Sequence, residues 1–260
     1  MKLDNRIIPI LVAAIGIYAI FLFISDYNVI TEKISNFKIN YLPLILLLVS
    51  ASWVPLIIKW HFLLKNSEIN IPLTKSIAVF FSGAAFEITP GQIGALIKSQ
   101  LLKTSSNISR TKTVPIVIIE KIYDLIGAIL ASVIGIIILG MEFYLIIIAI
   151  SSLVVIFFFM YHKPASELFF DRITKLKFFS KYVENISEFN EVIKKSTNVK
   201  VATICILLAL TYWFMVSAAA YYTLIAFDVN VLDYLKVLAI YTTSSLLGAI
   251  SFIPGGIGVT

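Results

Sequence analysis

The sequence predicts an all-α fold: a polytopic bundle of transmembrane helices with broken, re-entrant segments and an inverted repeat. Three observations carry this expectation. The 260 residues are 59% hydrophobic and 14% charged, with a mean hydropathy of +0.96, where a soluble domain carries roughly 25% charged residues. The apolar residues are gathered into runs of about 18 or more, which suits the roughly 20 residues needed to cross a hydrocarbon core about 30 Å thick. The pattern Pro-Gly-x-Ile-Gly occurs twice, from Pro90 to Gly94 and from Pro254 to Gly258.

The runs cover residues 7–24, 41–64, 77–102 with an interruption at Pro90, 114–140, 143–160, 201–227 and 237–260. The first follows Lys2 and Arg6, exceeds a signal-peptide core in length and lacks a small-residue cleavage site after it, so it reads as an uncleaved span. The last stops at Thr260 with no polar tail. We therefore expect residues 1–260 to form one integral membrane domain and the natural chain to continue beyond it.

Lysines and arginines number two before the first run, three in 59–75, four in 98–112 and eight in 161–200, against two in 25–40 and one in 228–236. Because basic loops remain inside, this places the N-terminus and segments 59–75, 98–112 and 161–200 in the cytoplasm of a multi-pass plasma-membrane protein. Run 77–102 then begins and ends on the same side. It should enter the membrane and return, with Thr89, Pro90 and Gly91 at the turn; such a break is tolerated at membrane depth where it is buried in protein or lines a wet cavity.

Trp53 and Asn70 correspond to Trp213 and Asn230 at an offset of 160, and the Pro-Gly patterns at 164. Two units, about 41–112 and 201–260, would thus be repeated. The span with Trp53 runs inward and that with Trp213 outward, so the units are inverted, and their tips (Pro90, Gly91, Gly94; Pro254, Gly255, Gly256, Gly258) enter from opposite faces. Secondary transporters use this plan, with the substrate site at the repeat interface.

Run 114–140 contains Glu120, Lys121 and Asp124. An ionised side chain at the centre of a bilayer costs about 2.5–3.5 kcal/mol even on lenient scales, so these residues must face protein or water. Glu120 and Asp124 share a helix face and repel unless a positive charge intervenes; Lys121, three residues from Asp124, can supply it. Gly127, Ala128, Ala131 and Gly135 continue the stripe and allow close helix approach. The cluster binds a polar headgroup or coupling ion, or is an ion pair that locks helices together. Glu87 is a fourth candidate, protonated if buried without a partner, and Lys98, a turn beyond Gly94, is placed to meet a phosphate.

Lys59 and Trp60 read as an interfacial anchor, with binding of a lipid phosphate the alternative for Lys59, and His61 and His162 as interfacial side chains. With two histidines and the single Cys205 inside an apolar run, no metal set, catalytic triad or cofactor loop can be assembled. A non-enzymatic role without cofactors is favoured. Segment 161–200 spaces Phe169, Phe170, Ile173, Leu176, Phe179, Val183, Ile186, Phe189 and Ile193 helically among lysines, as amphipathic cytoplasmic helices on the membrane or on the bundle. Glycosylation sequons at Asn107 and Asn185 fall in cytoplasmic segments and are read as accidental.

Trp60 closing an early span, Pro90, Gly91 and Gly94 followed by Lys98, Glu120-Lys121-x-x-Asp124, and the late Pro254-Gly255-Gly256-Ile257-Gly258 together resemble the lysylphosphatidylglycerol synthase transmembrane-domain family. Its stand-alone members are flippase-like membrane proteins. The resemblance implies a bundle that handles amphiphilic lipids: aminoacylated phospholipids, or polyprenyl-linked sugars beside a glycosyltransferase. Where the family has Glu after the glycine matched by Gly94, this chain has Ala95, and the counterpart glutamate would fall past Thr260. The expected function is binding and translocation of anionic or polyprenyl-linked lipids. The alternative is a non-catalytic lipid-binding partner, or membrane part, of an aminoacyl-phospholipid synthase or polyprenyl-phosphate glycosyltransferase. Membrane lipids and such an enzyme are the expected partners, and nucleic acid is not.

Overall fold

The computed structural model describes residues 34–87, 94–139, 143–162, 185–229 and 232–250, with isolated positions between 31 and 172. The expected first span, both Pro-Gly tips apart from Gly94, and Ile173, Leu176, Phe179 and Val183 lie outside the described residues. Among those described, a short 3-10 turn at Ile39–Tyr41 precedes eight helices: α1 Leu42–Asn66, α2 Leu73–Ala84, α3 Ile97–Ser106, α4 Arg110–Leu139, α5 Phe143–Tyr161, α6 Ile186–Ser196, α7 Val199–Ala226 and α8 Tyr234–Ile250. Two helical stretches, Ile39–Asn66 and Val199–Ala226, are long and apolar enough to cross a membrane. The 30-residue α4 is also long, about 45 Å at 1.5 Å per residue, but it carries the charged cluster.

Local chemistry sets the boundaries. Pro43 occupies the first turn of α1, where its missing N–H costs nothing. The Asn185 side chain accepts from the N–H groups of Ser187 and Glu188, while Lys194 and Lys195 close the last turn of α6, so both ends suit the helix dipole. Asn107 terminates α3 in the left-handed region at φ 55°, which asparagine tolerates better than most residues. Both sequon asparagines are therefore helix caps.

Helices α2 and α3, about 18 and 15 Å long, are each too short to cross a bilayer, and they pack on one another. Lys75 at the mouth of α2 donates to the carbonyl of Ser105 at the mouth of α3. The two arms thus begin and end at one end of the bundle, as a re-entrant hairpin requires. The other segments assigned to the same side converge there: Glu68 pairs with Lys195 at 2.8 Å and Lys112 with Glu188 at 3.6 Å. Asn66 donates to the Lys195 carbonyl at 3.0 Å, and the Tyr123 hydroxyl to that of Ser196 at 2.8 Å. Phe189 and Ile193 are buried, so α6 is docked on the bundle. The exposed Glu68 carboxyl is held below its usual range by its hydrogen bond from Lys195.

At the opposite end, the backbone N–H of Lys38 donates to the Ala226 carbonyl at 2.8 Å, Lys38 pairs with Asp228 at 2.7 Å, and Phe37 packs edge-on against Phe227. Helices α1 and α7 are therefore antiparallel neighbours, each touching the other's approach segment with its C-terminus. Their terminations match at an offset of 160. Glu68 and Asp228 both adopt φ 62°; the N–H of Ile69 returns to the Leu64 carbonyl at 2.9 Å, as that of Val229 does to Leu224. Trp53 stacks on Phe81 and Trp213 packs against Tyr241, again 160 apart. Positions 160 apart thus share cap geometry and aromatic contacts; both Pro-Gly tips apart from Gly94 lie outside the described residues.

The small-residue stripe of α4 is an interior seam. A Cβ on Gly127 would lie 2.7 Å from Ala209 Cβ on α7, and one on Gly135 only 2.0 Å from Ala239 Cβ and 2.6 Å from its Cα on α8; Ala128 and Ala131 are buried. The nearest obstacles at Gly135 include backbone, so a methyl group there must push α8 away. Gly135→Ala is expected to lower the melting temperature in detergent by more than Gly127→Ala, with overpacking costs of about 1–3 kcal/mol. Buried Cys205, the sole cysteine, reports unfolding by its reaction with a fluorogenic maleimide; equal melting of both variants and the native chain would contradict this packing.

Candidate functional site

Four elements deliver charge to one region. Lys59 lies seven residues inside the end of α1, Lys98 is in the first turn of α3, Glu87 follows α2 on the hairpin, and Glu120, Lys121 and Asp124 lie on α4. Glu120 and Asp124 are about 15 and 21 Å along α4 from its start.

The six side chains form an alternating ladder. Lys59 Nζ pairs with Asp124. Asp124 also faces Lys121 at 3.9 Å, and Lys121 pairs with Glu87 at 2.7 Å. Glu87 lies 3.5 Å from Lys98, whose Nζ donates to both carboxylate oxygens of Glu120 at 3.0 Å. Three cations and three carboxylates thus alternate from Lys59 to Glu120, and the site is neutral. A lone charge in this medium would cost several kcal/mol, and only close, well hydrogen-bonded pairing offsets that.

Aromatic and small residues hold the ladder in place. Lys98 Nζ sits 5.1 Å from the centre of the Trp60 ring and 4.7 Å from that of Phe80, within the range of cation–π attraction. Its stem lies against Gly83, where a Cβ would meet Lys98 Cγ at 2.3 Å; only glycine lets the lysine pass between α2 and α4. Trp213 Nε1 on α7 donates to the Asp124 carbonyl at 3.1 Å, and the Ser99 and Thr113 hydroxyls join α3 to α4 at 2.5 Å.

Accessibility divides the ladder. The side chains of Glu87, Lys121 and Asp124 are 27%, 24% and 20% exposed, whereas Lys59, Lys98 and Glu120 are 0%, 0% and 2%. The middle of the ladder can therefore meet a ligand, and both of its ends are dry. An open apolar groove of about 640 Å³ lies between α4, α5 and α8, bordered by Leu125, Ile129, Ile136, Ile156, Ala239 and Leu247. It begins one residue beyond Asp124 and follows α4 for roughly 16 Å.

The structure joins all five charged residues expected from the sequence, and it corrects three expectations. Lys59 and Trp60 are fully buried, not an interfacial anchor, and Lys59 is the near partner of Asp124, leaving Lys121 at 3.9 Å. Glu87 has two lysine partners, so it is not a carboxyl buried alone. Lys98 is enclosed and held by carboxylates instead of being open to a phosphate. Lys59 was the residue missed; the signal was a lysine seven residues inside a span, deeper than an anchor sits. His162 stacks on Phe158 at 4.7 Å, and among the described residues no cluster could hold a metal ion.

Replacing Asp124 by Asn leaves Lys59 buried without a carboxylate, which should cost about 3–5 kcal/mol. Combining Asp124→Asn with Lys59→Met removes the unpaired charge. The double variant is expected to recover most of the melting temperature lost by Asp124→Asn, measured by Cys205 labelling; losses that simply add would show that the two groups do not pair.

A protein-family model described as the lysylphosphatidylglycerol synthase TM region matches residues 9–260, nearly the whole chain. No curated protein and no solved structure matches it.

Proposed function

Because the chain belongs to the lysylphosphatidylglycerol synthase transmembrane family, a family of membrane proteins in lipid-related function, we propose that it binds anionic or polyprenyl-phosphate-linked lipids and moves them between leaflets. The observation that carries this reading is the neutral ladder of six charges within the helix bundle, open at Glu87, Lys121 and Asp124 and closed elsewhere. A membrane protein that needed only stability would do as well with apolar residues there. An intramembrane charged cluster beside a broken helix is instead the arrangement that carries polar groups across a bilayer.

The groove from Leu125 to Ile136 supports the lipid part of the reading. Its walls are almost wholly apolar, with hydroxyls at Ser132, Ser152, Thr243 and Ser244, which suits an aliphatic chain whose headgroup reaches the ladder. The matched caps of α1 and α7 support inverted repeat units of about 41–112 and 201–260, whose interface would hold the substrate path. Convergence of the basic loops at one end supports a multi-pass plasma-membrane topology with that end, and the N-terminus, in the cytoplasm. A second reading rests on the family description itself, which names the membrane region of a synthase: a lipid-binding partner, or membrane part, of a separate aminoacyl-phospholipid synthase or polyprenyl-phosphate glycosyltransferase.

Leaflet exchange in proteoliposomes tests the two readings. Fluorescent phosphatidylglycerol and a polyprenyl phosphate are expected to exchange faster with the protein than in empty vesicles. Exchange should fall at least about tenfold, some 1.4 kcal/mol of barrier, in Glu120→Gln and Asp124→Asn proteins that remain folded. Full activity in those variants would remove the ladder from the path. No exchange of any lipid by the native chain would defeat autonomous translocation and favour the partner reading.

A further inference from the structure

Every lysine nitrogen of the ladder already faces a carboxylate, and this constrains how the site can accept an anion. A phosphodiester headgroup reaching the open middle of the ladder finds one cation, Lys121, bound to Glu87 at 2.7 Å and near Asp124 at 3.9 Å. Taking Lys121 from Glu87 would leave four negative charges against three positive ones in a medium that penalises each unpaired charge by several kcal/mol. Net charge must be restored by something that enters with the lipid.

Resting on the lipid-binding reading above, we propose that Glu87 is the proton site of this protein: it takes up one proton when an anionic phosphodiester lipid headgroup binds Lys121, so lipid and proton enter together. The balance is simple. The phosphate oxygen accepts a hydrogen bond from Lys121 Nζ, the Glu87 carboxylate accepts a proton from water, no covalent bond to carbon or phosphorus changes, and three lysines face two carboxylates and one phosphate.

The surroundings single out Glu87 among the three acids. Glu120 holds Lys98 through both oxygens at 3.0 Å and, at 2% exposed, is closed off from an arriving ligand. Asp124 keeps Lys59, a buried lysine with no other carboxylate in reach among the described residues. Glu87 without Lys121 retains only a 3.5 Å share of Lys98, already satisfied by Glu120, and at 27% exposure it is the most open of the three. Among the described residues the other elements near it bring no substitute cation. From α7 comes Tyr212, close enough to Asp124 and Glu87 to feel their charge; the lysine of α2, Lys75, is engaged at the far end of the hairpin.

The test is calorimetric titration of the full chain in a non-ionic maltoside, in two buffers of different protonation enthalpy. The probes are dioctanoyl phosphatidylglycerol, dioctanoyl phosphatidylethanolamine and inorganic phosphate. Phosphatidylglycerol is expected to bind with uptake of about one proton, its affinity falling up to about tenfold per pH unit as pH rises between the pKa of Glu87 in the free protein and that in the lipid-bound protein. Phosphatidylethanolamine brings its own ammonium and should bind with no uptake. Glu87→Gln should bind phosphatidylglycerol without uptake and independently of pH, and Glu87→Asp should retain uptake, with folding of both confirmed by Cys205 labelling. Phosphatidylglycerol binding without proton uptake, or uptake undiminished in Glu87→Gln, overturns the proton site while leaving lipid binding intact. Inorganic phosphate binding as tightly as the lipid would overturn the assignment to a lipid headgroup. Failure of every lipid to bind removes the functional reading and this proposal together.

Discussion

Charge neutrality inside a low-dielectric bundle is the constraint on which the rest of this structure depends. Six ionised side chains from α1, the α2–α3 hairpin and α4 occupy one region. Because each would cost several kcal/mol alone, the elements bearing them must meet. The hairpin has to penetrate far enough for Glu87 and Lys98 to reach α4, α1 has to present Lys59 to Asp124, and Gly83 has to lack a side chain for the Lys98 stem to pass. Trp60 and Phe80 complete the enclosure by offering ring faces to the Lys98 ammonium.

Around that core the bundle is held by two different means. Between helices, closeness replaces the hydrophobic effect, which is weak among apolar surfaces already in lipid; hence Gly127 against Ala209 and Gly135 against Ala239. At the two ends, polar closures act: Asn66, Ser196, Tyr123 and the Glu68–Lys195 pair at one, Lys38 with Ala226 and Asp228 at the other. The exposed pairs contribute little energy. Their value is positional, because they tie the C-terminus of each long helix to the approach of the other.

Membership of the lysylphosphatidylglycerol synthase transmembrane family fits a bundle of this kind, and the half-open ladder gives that membership physical content. A site that is neutral at rest favours ligands that preserve neutrality. Lys59, Lys98 and Glu120 are closed off in it, while Glu87, Lys121 and Asp124 remain partly exposed.

How much of this was legible beforehand follows from which interactions are local. Periodicity, length and composition are properties of contiguous residues, so the sequence by itself determined the helical membrane class, the interior stripe from Gly127 to Gly135 and the fact that Glu120, Lys121 and Asp124 could not face lipid. Pairing is not local. Lys59 and Asp124 are 65 positions apart, and nothing in either stretch says that Asp124 will choose that lysine over Lys121 three residues away. Nor does the sequence reveal that Lys98 is enclosed by Trp60, Phe80 and two carboxylates. Those outcomes depend on how deep the hairpin sits and how closely α1 approaches α4, and only the tertiary structure decided them, because the energy of a buried charge is set by whatever neighbour packing brings within a few ångströms.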